Sequence, residues 1–183
     1  MFVLLRHLQS VRREIALQAP SPRGSLALRH VDAGSCNGCE HELGATANPY
    51  YDLQRYGLNL VASPRHADVL LVTGQITTRM VEPLRRAYDA MPEPRLVAAL
   101  GDCAIGCALL GDHPVQLAGP LEDILPIDLR IPGCPPNPQQ IADALLGLMR
   151  HVAEHPTPPG SSPANPGTPP AEAAGVHIDP TKE

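Results

Sequence analysis

Residues 68–101, DVLLVTGQITTRMVEPLRRAYDAMPEPRLVAALG, contain two aliphatic runs with a helical pattern between them. The runs at 68–74 and 95–101 have the length and the unbroken apolar character of strands that are buried on both faces. Pro83 fits only the first turn of the helix between them. The apolar residues near helical spacing are Met80, Val81, Leu84, Ala87, Tyr88 and Met91. Strand, helix and strand in this order predict a crossover between parallel strands.

Two further segments extend this pattern. Residues 58–63, LNLVAS, and 127–133, IDLRIPG, are also strand-sized apolar runs. The second is followed by a segment in which Asn137 is placed as a helix N-cap and Pro138 as the first helical residue. Its apolar stripe consists of Ile141, Leu145 and Leu148. The sequence therefore predicts an α/β fold, with a doubly wound, mostly parallel sheet and flanking helices.

The flanks of this body have a different character, so we predict three parts. Residues 1–25 are expected to form an N-terminal amphipathic segment and linker. The sequence is equally consistent with a short surface helix and with a frayed terminus there. Residues 26–150 form the α/β domain. Residues 151–183 are rich in proline, glycine, serine and alanine, which predicts a disordered tail.

Charge and motifs exclude several classes of function. The net charge is -5 with only 14 Lys and Arg, so nucleic-acid binding has little electrostatic basis. The sequence has neither G-x-G-x-x-G nor a Walker motif for nucleotides. Arginines interrupt the apolar start, which is neither a spanning helix nor a convincing signal peptide, so we expect a cytoplasmic location.

Cysteines follow the predicted strands. Cys103 comes just after Gly101 and Cys134 directly after Gly133, each where an apolar run ends. Because ligands of open α/β sheets bind beyond the carboxyl ends of the strands, both cysteines are expected at one edge. If the loop CNGC, residues 36–39, folds over that edge, a four-sulfur site forms. Its predicted ligands are Cys36, Cys39, Cys103 and Cys134.

Several occupants suit such a site. A disulfide framework is disfavoured in a cytoplasmic chain with five cysteines, and a redox dithiol leaves Cys103 and Cys134 unexplained. Zinc suits four thiolates, but structural zinc sites usually use two close cysteine pairs. GCPP, residues 133–136, places a proline after a cysteine, as bacterial ferredoxins do at a cluster ligand. The spacing favours a 4Fe-4S cluster and leaves zinc as the alternative.

The motifs CNGCE, GDCAIG and IPGCPPNP, in this order, resemble the cluster-binding subunit shared by NADH:quinone oxidoreductase (complex I) and nickel-iron hydrogenases. The resemblance covers roughly residues 30–150. It implies a flavodoxin-like fold and one 4Fe-4S cluster on Cys36, Cys39, Cys103 and Cys134, at an interface with a large catalytic subunit. It also implies ferredoxin-like and membrane subunits as further partners, and a peripheral position on the cytoplasmic face of the inner membrane.

The form CNGC followed by an acidic residue is similar to the membrane-bound energy-converting hydrogenases and formate hydrogenlyase, whereas complex I subunits usually have adjacent cysteines. The resemblance suggests that Glu40 moves protons toward the large subunit. The alternative is that Glu40 and Glu42 only cap the first turn of a helix and interact with its dipole, which explains Glu42 at least as well. The chain departs from the family at Cys107, where a second glycine is usual. That cysteine is interpreted as a buried small hydrophobe, a thiol near the cluster or, remotely, an alternative ligand.

The function expected from these residues is an electron-transfer subunit of a multisubunit oxidoreductase, with the reaction site on or shared with a partner. The alternative is a zinc-stabilised interaction module that uses the same cysteines.

Overall fold

The computed structural model describes residues 24–106 and 116–154. The expectations for the N-terminal segment, for Cys107 and for the proline-rich tail beyond residue 154 lie outside these ranges. The strands are β1 Leu26–Asp32, β2 Leu58–Leu60, β3 Val69–Thr73, β4 Ile76–Thr77, β5 Leu96–Leu100, β6 Leu117–Gly119 and β7 Leu129–Ile131. The α-helices are α1 Gly38–Ala45, α2 Val81–Asp89, α3 Asp102–Ile105 and α4 Pro138–Glu154.

Five strands form one sheet in the order β2-β1-β3-β5-β7, and every neighbouring pair is parallel. Numbered along the chain within this sheet, the order is 2-1-3-4-5, which is that of flavodoxin-like folds. A small antiparallel sheet pairs β4 with β6. The predicted fold class is confirmed.

Strand β3 is buried along its whole length because it has core on both sides. Val69 and Leu71 face the apolar cluster that includes α1 and α4, whereas Leu70 and Val72 face the cluster that includes α2. This two-sided burial explains why the sequence there is continuously aliphatic and does not alternate with polar residues.

The sequence pattern did not predict strand β1. The run LALRHVD contains Arg29 and His30, both only partly buried, and these break the aliphatic signal. The strand nevertheless lies between β2 and β3, with Arg29 opposite Leu70 and His30 opposite Leu71.

The two helices predicted from the pattern are present. In α2, Pro83 is the third residue, within the first turn as expected. Helix α4 begins at Pro138, and Asn137 caps it by accepting a hydrogen bond from the Gln140 amide at 2.9 Å. In turn, the Asn137 amide donates a hydrogen bond to the Gln140 side-chain oxygen at 2.9 Å, so the two residues form a reciprocal capping pair.

Candidate functional site

All four predicted cysteines follow carboxyl ends of strands of the parallel sheet. The loop after β1 carries Cys36 and leads into α1 with Cys39. Cys103 lies in α3 just after β5, and Cys134 follows β7. Cys36 and Cys134 are exposed, whereas Cys39 and Cys103 are half-buried.

Glycines bring these loops into contact. A Cβ atom placed on Gly101 would lie 2.5 Å from the sulfur of Cys39 and 3.4 Å from the Gly133 carbonyl oxygen. Gly101 also has a φ of +88°, which disfavours residues with side chains. The ends of β5 and β7 therefore meet α1 at Cys39. On the other side of the loop, a Cβ on Gly38 would lie 3.5 Å from the sulfur of Cys36 and 3.7 Å from the Pro135 ring.

Hydrogen bonds fix the relative position of the Cys103 and Cys134 loops. The Asp102 amide donates to the Gly133 carbonyl at 2.9 Å, and the Gly133 amide donates to Asp102 Oδ1 at 2.8 Å. The adjacent Gly101 amide donates to the Ile131 carbonyl at 2.8 Å. The residues next to Cys103 and Cys134 are thus bonded directly to each other.

The loop before α1 is fixed in the same manner. Asp32 Oδ1 accepts from the amides of Gly34 at 2.9 Å and Ser35 at 2.8 Å. The Ser35 hydroxyl oxygen accepts from the Asn37 amide at 3.1 Å, and Asn37 adopts a left-handed conformation with φ of 67°. These local bonds determine where Cys36 lies relative to α1.

The pKa of the Cys39 thiol depends on its burial and on the charges of the other three cysteines. Burial is the main reason that the pKa of the Cys39 thiol is raised from 9.0 to about 12. The negative charges of Glu40, Cys103, Cys36 and Cys134 raise it further. Such a thiol stays protonated at neutral pH and releases its proton when a cation compensates the charge. The chemistry of this donor set therefore fits a positively charged group that prefers sulfur.

Within residues 24–106 and 116–154, no group of three or more His, Cys, Asp or Glu side chains is arranged so that it could hold a metal ion. The structure thus brings the predicted residues to one edge, while their assignment as ligands stays a prediction.

Glu40 lies in the first turn of α1, directly after Cys39. Its Oε1 accepts a hydrogen bond from the hydroxyl of Thr73, the last residue of β3. His30 Nε2 lies 2.8 Å from that hydroxyl oxygen and 3.6 Å from Glu40 Oε1. The other carboxyl oxygen, Oε2, is buried and has no hydrogen-bond partner in the part of the chain that the structure describes. Leaving such an acceptor unsatisfied costs about 1–3 kcal/mol.

His30 and Thr73 were not predicted as site residues. The contacts join positions 33 and 43 residues apart, and no local spacing indicates them. The available signal was a polar residue at the carboxyl end of an otherwise aliphatic strand, where binding sites of parallel sheets lie. Burial lowers the pKa of His30 below 6.5, against the opposing effects of Glu40 and Asp32, so the ring is neutral at pH 7.

The matching family model is that of the NADH ubiquinone oxidoreductase 20 Kd subunit, over residues 36–148. The chain belongs to this family. All four predicted ligands lie inside the matched region, and the family predicted from CNGCE, GDCAIG and IPGCPPNP is confirmed.

Relatives in the 20 Kd subunit family include hydrogenase subunits. The chain is 42% identical over 125 residues to the probable membrane-bound hydrogenase subunit mbhJ of Pyrococcus furiosus, which covers 68% of this chain and 74% of the relative. It is 44% identical over 108 residues to formate hydrogenlyase subunit 7 of Escherichia coli, which covers 59% of this chain and 42% of the relative. With an NADH-quinone oxidoreductase subunit of Desulfovibrio desulfuricans it shares 40% identity over 114 residues, covering 62% of this chain and 61% of the relative. The chain is therefore an oxidoreductase subunit of the complex I and hydrogenase type.

Solved structures agree with the fold of this family. A chain of the archaeal membrane-bound sulfane sulfur reductase matches with a TM-score of 0.62 and 30% identity, over 72% of each chain. A chain of an NAD+-reducing [NiFe]-hydrogenase matches with a TM-score of 0.55 over 74% of this chain and 96% of that one, and at 21% identity it supports the fold alone. In the described residues, no helix is both long and apolar enough to cross a membrane.

An aromatic pair follows α1 in this family member. Tyr50 is 82% exposed, and its ring packs edge-on against Tyr51 with 4.9 Å between the ring centroids. The Asn48 side chain accepts hydrogen bonds from both tyrosine amides, at 2.8 and 3.1 Å. The turn therefore holds an exposed aromatic side chain.

Proposed function

We propose that the chain carries one 4Fe-4S cluster on Cys36, Cys39, Cys103 and Cys134 and serves as an electron-transfer subunit. When bound, such a cluster accepts and releases one electron at a time. The observation that carries the proposal is that the four cysteines follow the carboxyl ends of three parallel strands, and that Cys36, Cys103 and Cys134 contribute to the raised pKa of Cys39, which is about 12. Binding a cationic iron-sulfur core relieves the cost of ionising these thiols together.

The chain's own residues prepare this edge. Gly101 leaves the space that Cys39 occupies, and the paired bonds between Asp102 and Gly133 hold the neighbouring cysteines in place. Hydrogen bonds and burial around the cysteines are the means by which a protein tunes a cluster's potential.

The partner that we propose is a large catalytic subunit of the hydrogenase or complex I 49 kDa type. Ferredoxin-like and membrane subunits complete the proposed complex, on the cytoplasmic face of the inner membrane. The names of the hydrogenase relatives and the CNGCE motif favour the hydrogenase-like branch. Exposed Tyr50 is a proposed contact with the large subunit.

Glu40 is proposed to transfer protons between this edge and the large subunit. It is adjacent to Cys39, and its buried Oε2 has no partner in the described chain, which leaves an oxygen for an incoming donor. Replacement by Gln keeps the size of the side chain and removes the carboxyl group that could take up and release a proton. In the complex, Glu40→Gln should slow proton-coupled turnover while leaving the iron content unchanged.

The deciding experiment is EPR spectroscopy of anaerobically purified, dithionite-reduced chain, with iron, sulfide and zinc measured in the same sample. About four irons and four sulfides per chain and a reduced-cluster signal are expected. Stoichiometric zinc without iron or sulfide would instead support the structural zinc module. Single Ser variants of Cys36, Cys39, Cys103 and Cys134 should each lose or alter the signal.

Cys107→Ser is the matched control for Cys103→Ser. Cys107 lies four residues after Cys103 in the sequence and is outside the proposed ligand set. It should retain iron and the wild-type signal. Loss of the cluster in Cys107→Ser, with retention in Cys103→Ser, would overturn the ligand assignment.

A further inference from the structure

A hydroxyl group at the end of β3 connects the sheet to the cysteine-bearing edge. Thr73 is fully buried, and its backbone pairs with Asp32 of β1 and Leu100 of β5. The side chain lies on the same strand as four buried aliphatic residues, where valine would fit as well in shape. What threonine adds at this position is one hydrogen-bond donor and one acceptor.

Both functions of the hydroxyl are used. Its hydrogen is donated to Glu40 Oε1, across 33 residues of sequence. A hydroxyl has a single hydrogen, so the His30 Nε2 atom at 2.8 Å must then donate to the Thr73 oxygen. The contacts define a directed chain in which His30 donates to Thr73 and Thr73 donates to Glu40.

This series of hydrogen bonds constrains the Glu40 carboxyl group at one of its two oxygens. Oε1 is held by Thr73, while the buried Oε2 has no partner in the described residues. Because the anchor belongs to the rigid centre of the sheet, the carboxyl is positioned by β3 and β1 rather than by its own short helix α1. Second-layer hydrogen bonds of this kind orient functional side chains near metal sites.

We propose that Thr73 is a positioning residue for Glu40, and that His30, through its Nε2–H tautomer, sets the direction of the Thr73 hydroxyl. The inference rests on the proposed function only for the role of Glu40. The hydrogen-bond chain itself can be tested without any cluster.

The experiment compares Thr73→Val, which removes the hydroxyl, with Thr73→Ser, which keeps it, in the full-length chain at pH 7. The first readout is the nitrogen-15 NMR spectrum of the His30 ring, which distinguishes the Nε2–H from the Nδ1–H tautomer. The second is the carbon-13 shift of the Glu40 carboxyl. Wild type and Thr73→Ser should show Nε2–H and the same carboxyl shift, whereas Thr73→Val should lose the tautomer preference and shift the carboxyl signal.

The EPR spectrum of reduced, cluster-loaded protein is the third readout. Thr73→Val should change it in the same direction as Glu40→Gln, and Thr73→Ser should restore the wild-type spectrum. Absence of any cluster would refute the proposed function but leave the NMR result to decide the positioning role.

Three results would overturn the inference: an Nδ1–H tautomer in the wild type, a Thr73→Ser variant that behaves as Thr73→Val, or a folded Thr73→Val variant with unchanged NMR signals. If Thr73→Val does not fold, His30→Phe and His30→Gln replace it. Gln can still donate to Thr73 and should preserve the Glu40 carboxyl shift, whereas Phe should not. An unchanged shift in His30→Phe would also overturn the inference.

Discussion

Gly101 and Cys39 are in such close contact that a Cβ atom on the glycine would lie 2.5 Å from the cysteine sulfur. Real Cβ atoms do not approach other heavy atoms this closely, and the φ of +88° at Gly101 adds strain for any side chain. The end of β5 thus determines how deeply α1 and its cysteine can settle onto the sheet.

Replacing Gly101 by Ala should therefore displace Cys39 and destabilise the fold by about 1–3 kcal/mol, the usual cost of such backbone strain. Urea unfolding of the full chain measures the loss, and iron content after reconstitution reports on the site. Gly147→Ala in α4 is the control: a Cβ there meets nothing within 4 Å, and the change should stabilise by about 0.5–1 kcal/mol. Equal effects of the two variants would contradict the steric argument.

Asp102 connects the two cysteine loops that follow β5 and β7. Asp102→Ala removes the acceptor of the Gly133 amide, and we expect a loss of about 1.5–3 kcal/mol, typical of a hydrogen bond to a charged group. Asp102→Asn retains an oxygen acceptor at the same place and should lose less. Thermal unfolding of the two variants measures the difference. If Asp102→Asn destabilises the protein as much as Asp102→Ala, the hydrogen bond to the Gly133 amide is not the source of the lost stability.

Much of this architecture is readable in the sequence because burial leaves a simple signal. Strands β3 and β5 have core on both faces, so their aliphatic runs are unbroken, and Asn137 is recognisable as a cap from the residues beside it. Strand β1 was missed because Arg29 and His30 interrupt its pattern. Its place in the sheet depends on pairing with β2 and β3, which are distant in sequence.

The site shows the same division. The cysteines are predictable because parallel strands end at a common edge, a property of the fold class. The contacts of Glu40 with Thr73 and His30 are not predictable from the sequence, because they depend on how α1 packs across β1 and β3. Such contacts exist only after the fold has formed.

The pH dependence of stability should show a contribution from Asp128. Desolvation raises its pKa above the ordinary value, although the hydrogen bond from the Val97 amide at 2.8 Å lowers it. With a raised pKa the folded state binds the proton more tightly, so this contribution to stability is greatest below the unfolded pKa. It is lost as the pH rises through the folded pKa. Asp128→Asn, which keeps the acceptor, should flatten this decline in urea midpoints measured between pH 4 and 7, and an unchanged slope would contradict it.

Cys39 should be the slowly reacting cysteine of the metal-free chain. Raising its pKa from 9.0 to about 12 lowers the thiolate fraction near neutral pH by about a thousandfold. A more basic thiolate is also more nucleophilic, which raises the reaction rate by about thirtyfold and offsets part of this loss. Partial burial slows the reaction further, so alkylation by iodoacetamide under anaerobic conditions should be at least about thirtyfold slower than at an unperturbed thiol. Exposed Cys36 serves as the internal reference, and mass spectrometry of peptides gives both rates. Equal rates would show that burial and the neighbouring negative charges do not keep Cys39 protonated, and would remove the electrostatic argument for a cationic group at this edge.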